Sequence, residues 1–327
     1  MGRIVRVLAV VFGLVFAGAT ALNAFLVIQS RMALSGGGFD GSASAKPADR
    51  HLLVILPVSD DSFFSRIVEG LEANAAEMRA AVQVERYPAA SPDDADRWFD
   101  IGLRSGVDGI VMYASPGDDV AQRAAIAEAA GVVYIAVGKE APPGVLPCFI
   151  GSAPLFQGFA GGRIITGLLA QRARIGLILP AGGTHRPEND SLYKGVAAAV
   201  ATYRGAAIVA TIRAVPGIFA GEEAAARLLE AHPDINAIWC ATSRDTLGAA
   251  QVLVDEGLAK KIVLVGADET PLLQRYLEEG VVAASIVRDS RRIGVEAAHA
   301  FEDMEAGKPP PGIIEVDFTV LTGSGPK

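Results

Sequence analysis

From residue 51 onward one unit recurs along this chain: a short apolar run, a polar turn, and a segment with apolar residues at helical spacing. The runs are Leu52–Pro57, Val82–Arg86, Gly109–Tyr113, Val132–Val137, Arg174–Leu179, Ala207–Arg213, Ala237–Cys240, Ile262–Gly266 and Val282–Val287. Runs this short, bounded by turn residues, read as strands buried on both faces. Between them lie helical patterns, such as Phe63, Ile67, Leu71 and Met78 on one face. Strands that alternate with helices imply βαβ units, parallel sheets and right-handed crossovers. So many strands exceed one comfortable open sheet. A break at Ala141–Gly151 (APPGVLPCFIG) is followed by a new helix from Pro154 to Gln171. The expected fold is therefore α/β, with two doubly wound parallel-sheet lobes. A Gly/Pro turn at Gly307–Pro311 precedes a last extended segment, Ile313–Leu321.

Composition narrows the function. A net charge of −8 argues against a nucleic-acid partner, whose affinity rests on basic patches. Half of the chain is hydrophobic (51%) and only 20% is charged, which argues against disorder. Cys148 and Cys240 are the only cysteines. A disulfide between them is one reading in an oxidising compartment, and two buried unpaired thiols is the preferred one; with no CxxC and no Cys/His ligand spacing, no metal is expected.

Residues 1–31 read as a membrane anchor or signal segment. Arg3 and Arg6 precede an apolar stretch from Val7 to Ile28, long enough to span a bilayer as a helix. The arginines ahead of it predict a cytoplasmic amino terminus and an exported body. A cleaved signal peptide would use Val7–Phe16 as its apolar region and Ala19-Thr20-Ala21 as its cleavage site. The run continues past that site through Leu22–Ile28, which favours an uncleaved anchor at the inner membrane. Residues 32–50 form a Gly- and Ser-rich flexible linker. Both readings put the body in the periplasm or cell envelope.

The segment His51–Phe64, HLLVILPVSDDSFF, carries the chemistry. Its strand ends in Ser59, Asp60 and Asp61 and is followed by Phe63 and Phe64, all at a carboxyl edge, where open α/β sheets bind ligands. Carboxylates accept hydroxyl hydrogens, and an aromatic face packs on the apolar face of a ring.

Five stretches taken in order, VILPVSDDSFFSRIVEGLEANA, GVDGIVMYASPGDD, LLEAHPDINAIWCATSRDTLGAAQVL, IVLVGADETP and GVVAASIVRDSRRIG, resemble the type I periplasmic binding proteins, in particular the ribose- and galactose-binding branch. The likeness runs from about His51 to Leu321. It implies three crossings between lobes, near Ile150, Arg288 and Asp317. Lobe one would hold 51–149 plus 289–316, and lobe two 151–287 plus 318–324. Ligand would sit between the lobes, which close by hinge bending; this family is the standard example of that motion. By resemblance, Phe63 and Phe64 are the stacking aromatics, with Phe63 preferred as the one that faces the cleft, Asp61 and Ser59 are polar contacts, and Asp268 is the binding aspartate, facing Phe63 across the cleft. Helix capping or core packing would equally account for several of these positions.

Other positions depart from the family pattern. Gly138-Lys139 stands where the family has Asp-Arg, so bidentate arginine geometry is lost. Leu192 stands near an expected arginine, with His185, Arg186 and Asn189 as substitutes in the same loop. Thr242 replaces an asparagine and Arg288 a hinge glutamine. Lys139, Arg186 and Arg288 would suit an anionic group, although solvated or hinge-bridging charge explains them better. Tyr113 and Trp239 end strands and would serve as stacking rings or as core.

No GxGxxG follows the first strand, and no P-loop, GxSxG or HExxH occurs, so an enzyme is not expected and no cofactor is implied. The expected function is a monomeric extracytoplasmic solute-binding protein. It would capture a sugar-like molecule and hand it to the permease of an ABC transporter. The alternative is a membrane-anchored sensor that presents its ligand state to a receptor or histidine kinase.

Overall fold

Each apolar run marked in the sequence becomes a strand in the computed structural model. The model describes residues 48–59, 62–88, 91, 93–115, 117–144, 146–180, 190–214, 219–323 and 325–326. The amino-terminal apolar segment lies outside the described residues. Among the described residues no helix is long and apolar enough to cross a membrane.

The first half runs β1 (Arg50–Pro57), α1 (Ser62–Met78), β2 (Ala80–Tyr87), α2 (Asp93–Ser105), β3 (Gly109–Tyr113), α3 (Val120–Ala129), β4 (Val133–Gly138) and β5 (Cys148–Ser152). The second runs α4 (Pro154–Leu169), β6 (Arg174–Leu179), α5 (Ser191–Val200), β7 (Ala207–Arg213), α6 (Ala220–Ala231), β8 (Ala237–Cys240), α7 (Ser243–Asp255), β9 (Val263–Ala267), α8 (Pro271–Glu278) and β10 (Ala284–Arg288). The chain closes with α9 (Ser290–Glu305), β11 (Gly312–Val316), β12 (Phe318–Thr322) and β13 (Gly325–Pro326).

Two sheets result. The first has the order β11-β5-β4-β3-β1-β2 and is parallel throughout. The second has the order β13-β12-β10-β9-β8-β6-β7, in which β12 alone runs against the rest and pairs antiparallel with β10 and β13. Counted within each lobe, the first five strands are ordered 2-1-3-4-5 in both. Strand order reverses beside β1 in one sheet and beside β6 in the other, and such switch points are where open α/β sheets bind ligands.

Strand β5 was not read from the sequence. The prolines at 142, 143 and 147 stop short of Cys148, and Cys148–Ser152 is buried along its whole length between β4 and β11. The chain therefore leaves the first sheet after Ser152, two residues beyond the expected crossing at Ile150. The last extended segment, Ile313–Leu321, divides at Asp317, where the family resemblance puts a crossing, into β11 of the first sheet and β12 of the second. The remaining crossing follows Arg288, and the Asp289 N–H donates to Asp317 O at 3.3 Å, so two crossings touch.

Each sheet is covered on both faces. Phe63, Ile67 and Leu71 of α1 join Ile293, Ala297 and Phe301 of α9 on one face of the first sheet, and Phe99 and Val120 cover the other. In the second lobe Ile165 and Val196 cover one face, and Leu228 and Leu253 the other. Burying a Leu, Ile or Phe side chain contributes about 1.5–3 kcal/mol. Cys148 and Cys240 are both unpaired and buried. Burial pushes the Cys148 thiol up to about 12.

The helices that frame the ligand edge meet backbone to backbone. A Cβ on Gly294 of α9 would strike the carbonyl oxygen of Ile67 in α1, and one on Gly70 would strike that of Arg291. The same arrangement joins α4 and α5, where Gly158 lies on the Leu192 carbonyl and Gly195 on that of Leu155. An added methyl would force these backbones apart, so Gly294→Ala is expected to lower stability in urea unfolding by about 1–3 kcal/mol. An unchanged midpoint would contradict this packing.

Candidate functional site

The carboxyl edges of the two sheets face one another across a cleft of about 530 Å3. The first-lobe wall comes from the ends of four strands: Pro57, Val58 and Ser59 after β1, Tyr87 on β2, Tyr113 to Ser115 at β3, and Lys139 and Glu140 after β4, together with Phe64 of α1. The second-lobe wall is built the same way. Leu179 and Pro180 end β6, Arg213 ends β7, Ala241 follows β8 and Arg288 ends β10, with Pro154 and Gln157 of α4 and Asp190 and Leu192 at α5.

An aromatic patch anchors the first wall. Phe64 stands edge to face against Phe63 at 5.2 Å and against Tyr113 at 5.1 Å. The Lys139 ammonium lies 5.3 Å from the Phe63 ring centre and 5.6 Å from that of Phe64, within cation–π range. Burial raises the Tyr87 phenol above the ordinary tyrosine range, so it remains a neutral O–H able to donate and accept.

The charges of the second wall have partners. Arg213 meets Asp190 at 3.2 Å and donates to the Pro180 carbonyl at 3.2 Å. Asp190 also caps α5, accepting from the Leu192 N–H. The Ser191 hydroxyl donates to Glu140, which ties the amino terminus of α5 to the first lobe across the cleft. Arg288 grips Asp268 with two N–H groups, Nε donating to Oδ1 at 2.8 Å and Nη2 to Oδ2. The guanidinium carbon of Arg288 lies 5.0 Å from the Phe63 ring centre.

Of the residues expected from the sequence, Ser59, Phe64, Lys139 and Arg288 line the cleft together. Phe63 sits behind them, only 1% exposed, under Lys139 and Arg288. Asp268 is buried beneath Arg288 and lines a smaller hinge hollow of about 180 Å3. It does not face Phe63 across the open cleft; Arg288 joins the two. Thr242 is buried as the cap of α7, accepting from the Asp245 N–H and donating to the Asp245 carboxylate at 2.7 Å. Trp239 is core, packed on Gly161, whereas Tyr113 lines the cleft. Asp61, His185, Arg186 and Asn189 lie outside the described residues. Among the described residues no His, Cys, Asp and Glu side chains gather as a metal site.

A family profile described as a periplasmic binding protein domain matches residues 52–309. The chain belongs to the periplasmic binding protein family. The D-allose-binding periplasmic protein of Escherichia coli is 29% identical over 83 residues, a match spanning 25% of this chain and 27% of that relative. The ribose import binding protein RbsB of Salmonella typhimurium is 23% identical over 283 residues, 86% of this chain and 93% of that protein. Among solved structures, the glucose-galactose binding protein GanP of Geobacillus stearothermophilus superposes with a TM-score of 0.73 at 23% identity. That superposition covers 85% of this chain and 99% of the other.

Sequence reasoning missed Tyr87, Glu140, Gln157, Asp190 and Arg213 as members of this family's interlobe cleft. A usable signal existed for some. Tyr87 and Arg213 are the last residues of their strands, and Glu140 and Pro180 follow theirs closely, where the sheet-edge rule points. Gln157 and Asp190 belong to helix starts and become visible only once α4 and α5 are placed.

Two measurements check this geometry. The Arg288 and Asp268 side chains are only 6% and 5% exposed. Asp268→Ala should therefore cost about 3–5 kcal/mol, because it removes the carboxylate that balances a buried guanidinium. Adding Arg288→Met should recover most of that in a double-mutant cycle, and purely additive losses would disprove the coupling. Asp245 is fully buried, and desolvation raises its carboxyl pKa despite opposing help from Thr242, Arg244 and Lys139. The folded state then holds this proton more tightly than the unfolded chain, so its contribution to stability falls as pH rises above about 4. Asp245→Asn should melt higher than the parent at neutral pH, with the gap closing towards about pH 4. A lower melting temperature at neutral pH would refute this.

Proposed function

We propose that this protein captures a small, uncharged, sugar-like ligand between its lobes and delivers it, chemically unchanged, to the membrane permease of an ABC transporter. The observation that carries the reading is the cleft itself. It joins the carboxyl edges of two parallel sheets and sets an aromatic patch on one wall against amide, hydroxyl and carboxylate groups drawn from both. Rings suit the apolar face of a sugar, and hydroxyls need both donors and acceptors. Arg213 and Arg288 are already matched by Asp190 and Asp268, so an anionic ligand would have to displace fixed carboxylates. The relatives named for D-allose and ribose point to the same ligand class.

In this reading Phe64, Ser59 and Lys139 touch ligand from the first lobe. Phe63, Thr242 and Asp268 hold the wall from behind. Bending at the three crossings opens and closes the cleft, and the Glu140–Ser191 bond is a contact of the closed state. The body works outside the cytoplasm, exported or tethered by the apolar segment 7–28.

The test is a thermal-shift screen of the full chain with D-ribose, D-allose and D-galactose, followed by solution scattering. A ligand bound only by the folded state raises the melting temperature, and closure reduces the radius of gyration. Phe64→Ala should weaken binding about tenfold, from lost ring contact. Recovery of a converted sugar, or no shift with any of the three, would overturn the reading.

A further inference from the structure

Gln157 stands in the first turn of α4, just beyond the point where the chain first leaves the first sheet. Its backbone N–H donates to Ala153 O at 3.1 Å. The next residue, Gly158, lies directly on the Leu192 carbonyl, so the helix has no room to shift. The side chain lines the cleft, yet only 5% of the residue is exposed. Its amide nitrogen is out of contact with solvent and has no hydrogen-bond partner among the described residues.

A buried amide donor without an acceptor is destabilising, and such groups are rare enough that each calls for a reason. What that nitrogen lacks is an acceptor, and the side-chain carboxylates that line the cleft are already engaged: Asp190 accepts from Arg213 and the Leu192 N–H, and Glu140 from the Ser191 hydroxyl. A carboxamide differs from the charged groups of the cleft in being neutral and carrying both donor and acceptor. A sugar hydroxyl has the same double character, and a half-turn of the amide about its last bond exchanges which end faces the cleft.

We infer that Gln157 is a specificity-determining residue of the second lobe, whose buried carboxamide hydrogen-bonds a hydroxyl of an uncharged polyol held against Phe64. This rests on the sugar-binding reading and adds to it a residue that discriminates among ligands. A site built to pair with a hydroxyl rejects analogues that lack it, because the buried amide is then left unpaired.

Gln157→Met keeps the length of the side chain and removes the unpaired amide. Without sugar, Q157M should melt at or above the parent temperature. Its affinity for whichever of D-ribose, D-allose and D-galactose the parent binds should fall about tenfold or more, by calorimetric titration. Affinity equal to that of the parent overturns the inference alone, leaving the sugar-binding reading in place. A Q157M protein that melts well below the parent before sugar is added also overturns it, since the amide would then be a structural member. A parent that binds none of the three sugars overturns the sugar-binding reading itself, and the ligand assigned to Gln157 with it.

Discussion

Two parallel strands cannot be joined by a tight turn, and every connection between them must cross the sheet. Each crossover leaves from a carboxyl edge and returns to an amino edge. In this chain that constraint operates twice, in two sheets of the same strand order. Apolar side chains fill both faces of each sheet, so polar chemistry has room only beyond the strand ends. The cleft follows from this arrangement. Its walls are the termini of β1 to β4 on one side and of β6, β7, β8 and β10 on the other. Helices packed glycine to carbonyl beneath both walls leave little freedom for the side chains they carry.

The lobes are held in register where the chain crosses between them. Asp268 has a left-handed backbone, φ +62°, uncommon for a residue other than glycine though tolerated by aspartate. It is fixed by its N–H to Ile286 O at 2.9 Å and by the Ser285 hydroxyl to its own carbonyl at 2.6 Å. The carboxylate is thereby held against Arg288, the last residue of β10, and Arg288 in turn lies on Phe63 of the first lobe. Desolvating two charges offsets much of their attraction, so the pair adds little net stability. What it contributes is position: one guanidinium is shared between an aspartate of one lobe and a ring of the other.

The alternation of short apolar runs with helical patterns was enough to read the two-lobe α/β architecture, because buried parallel strands leave a plain signature. Strand β5 was hidden because prolines crowd its approach and its own residues look like the end of a linker. Residues that line the cleft were legible where they closely follow a strand, as Ser59 and Lys139 do. They were misjudged where a partner distant in sequence decides the outcome. Asp268 reads as an exposed acceptor until Arg288, twenty residues later, is seen to claim it. Gln157 gives no signal at all in one dimension, since its importance lies in what fails to reach it.

The three crossings make the first lobe discontinuous along the chain. Its outer strand β11 pairs with β5 from some 160 residues away, and α9 fills the groove beside α1. During synthesis the second lobe has nearly all its parallel strands before the first has its edge. A chain that stopped at residue 288 would expose an open strand edge and the bare flank of α1, surfaces prone to wrong association. Completion therefore waits for the carboxyl-terminal end, and long-range pairing of this kind folds slowly.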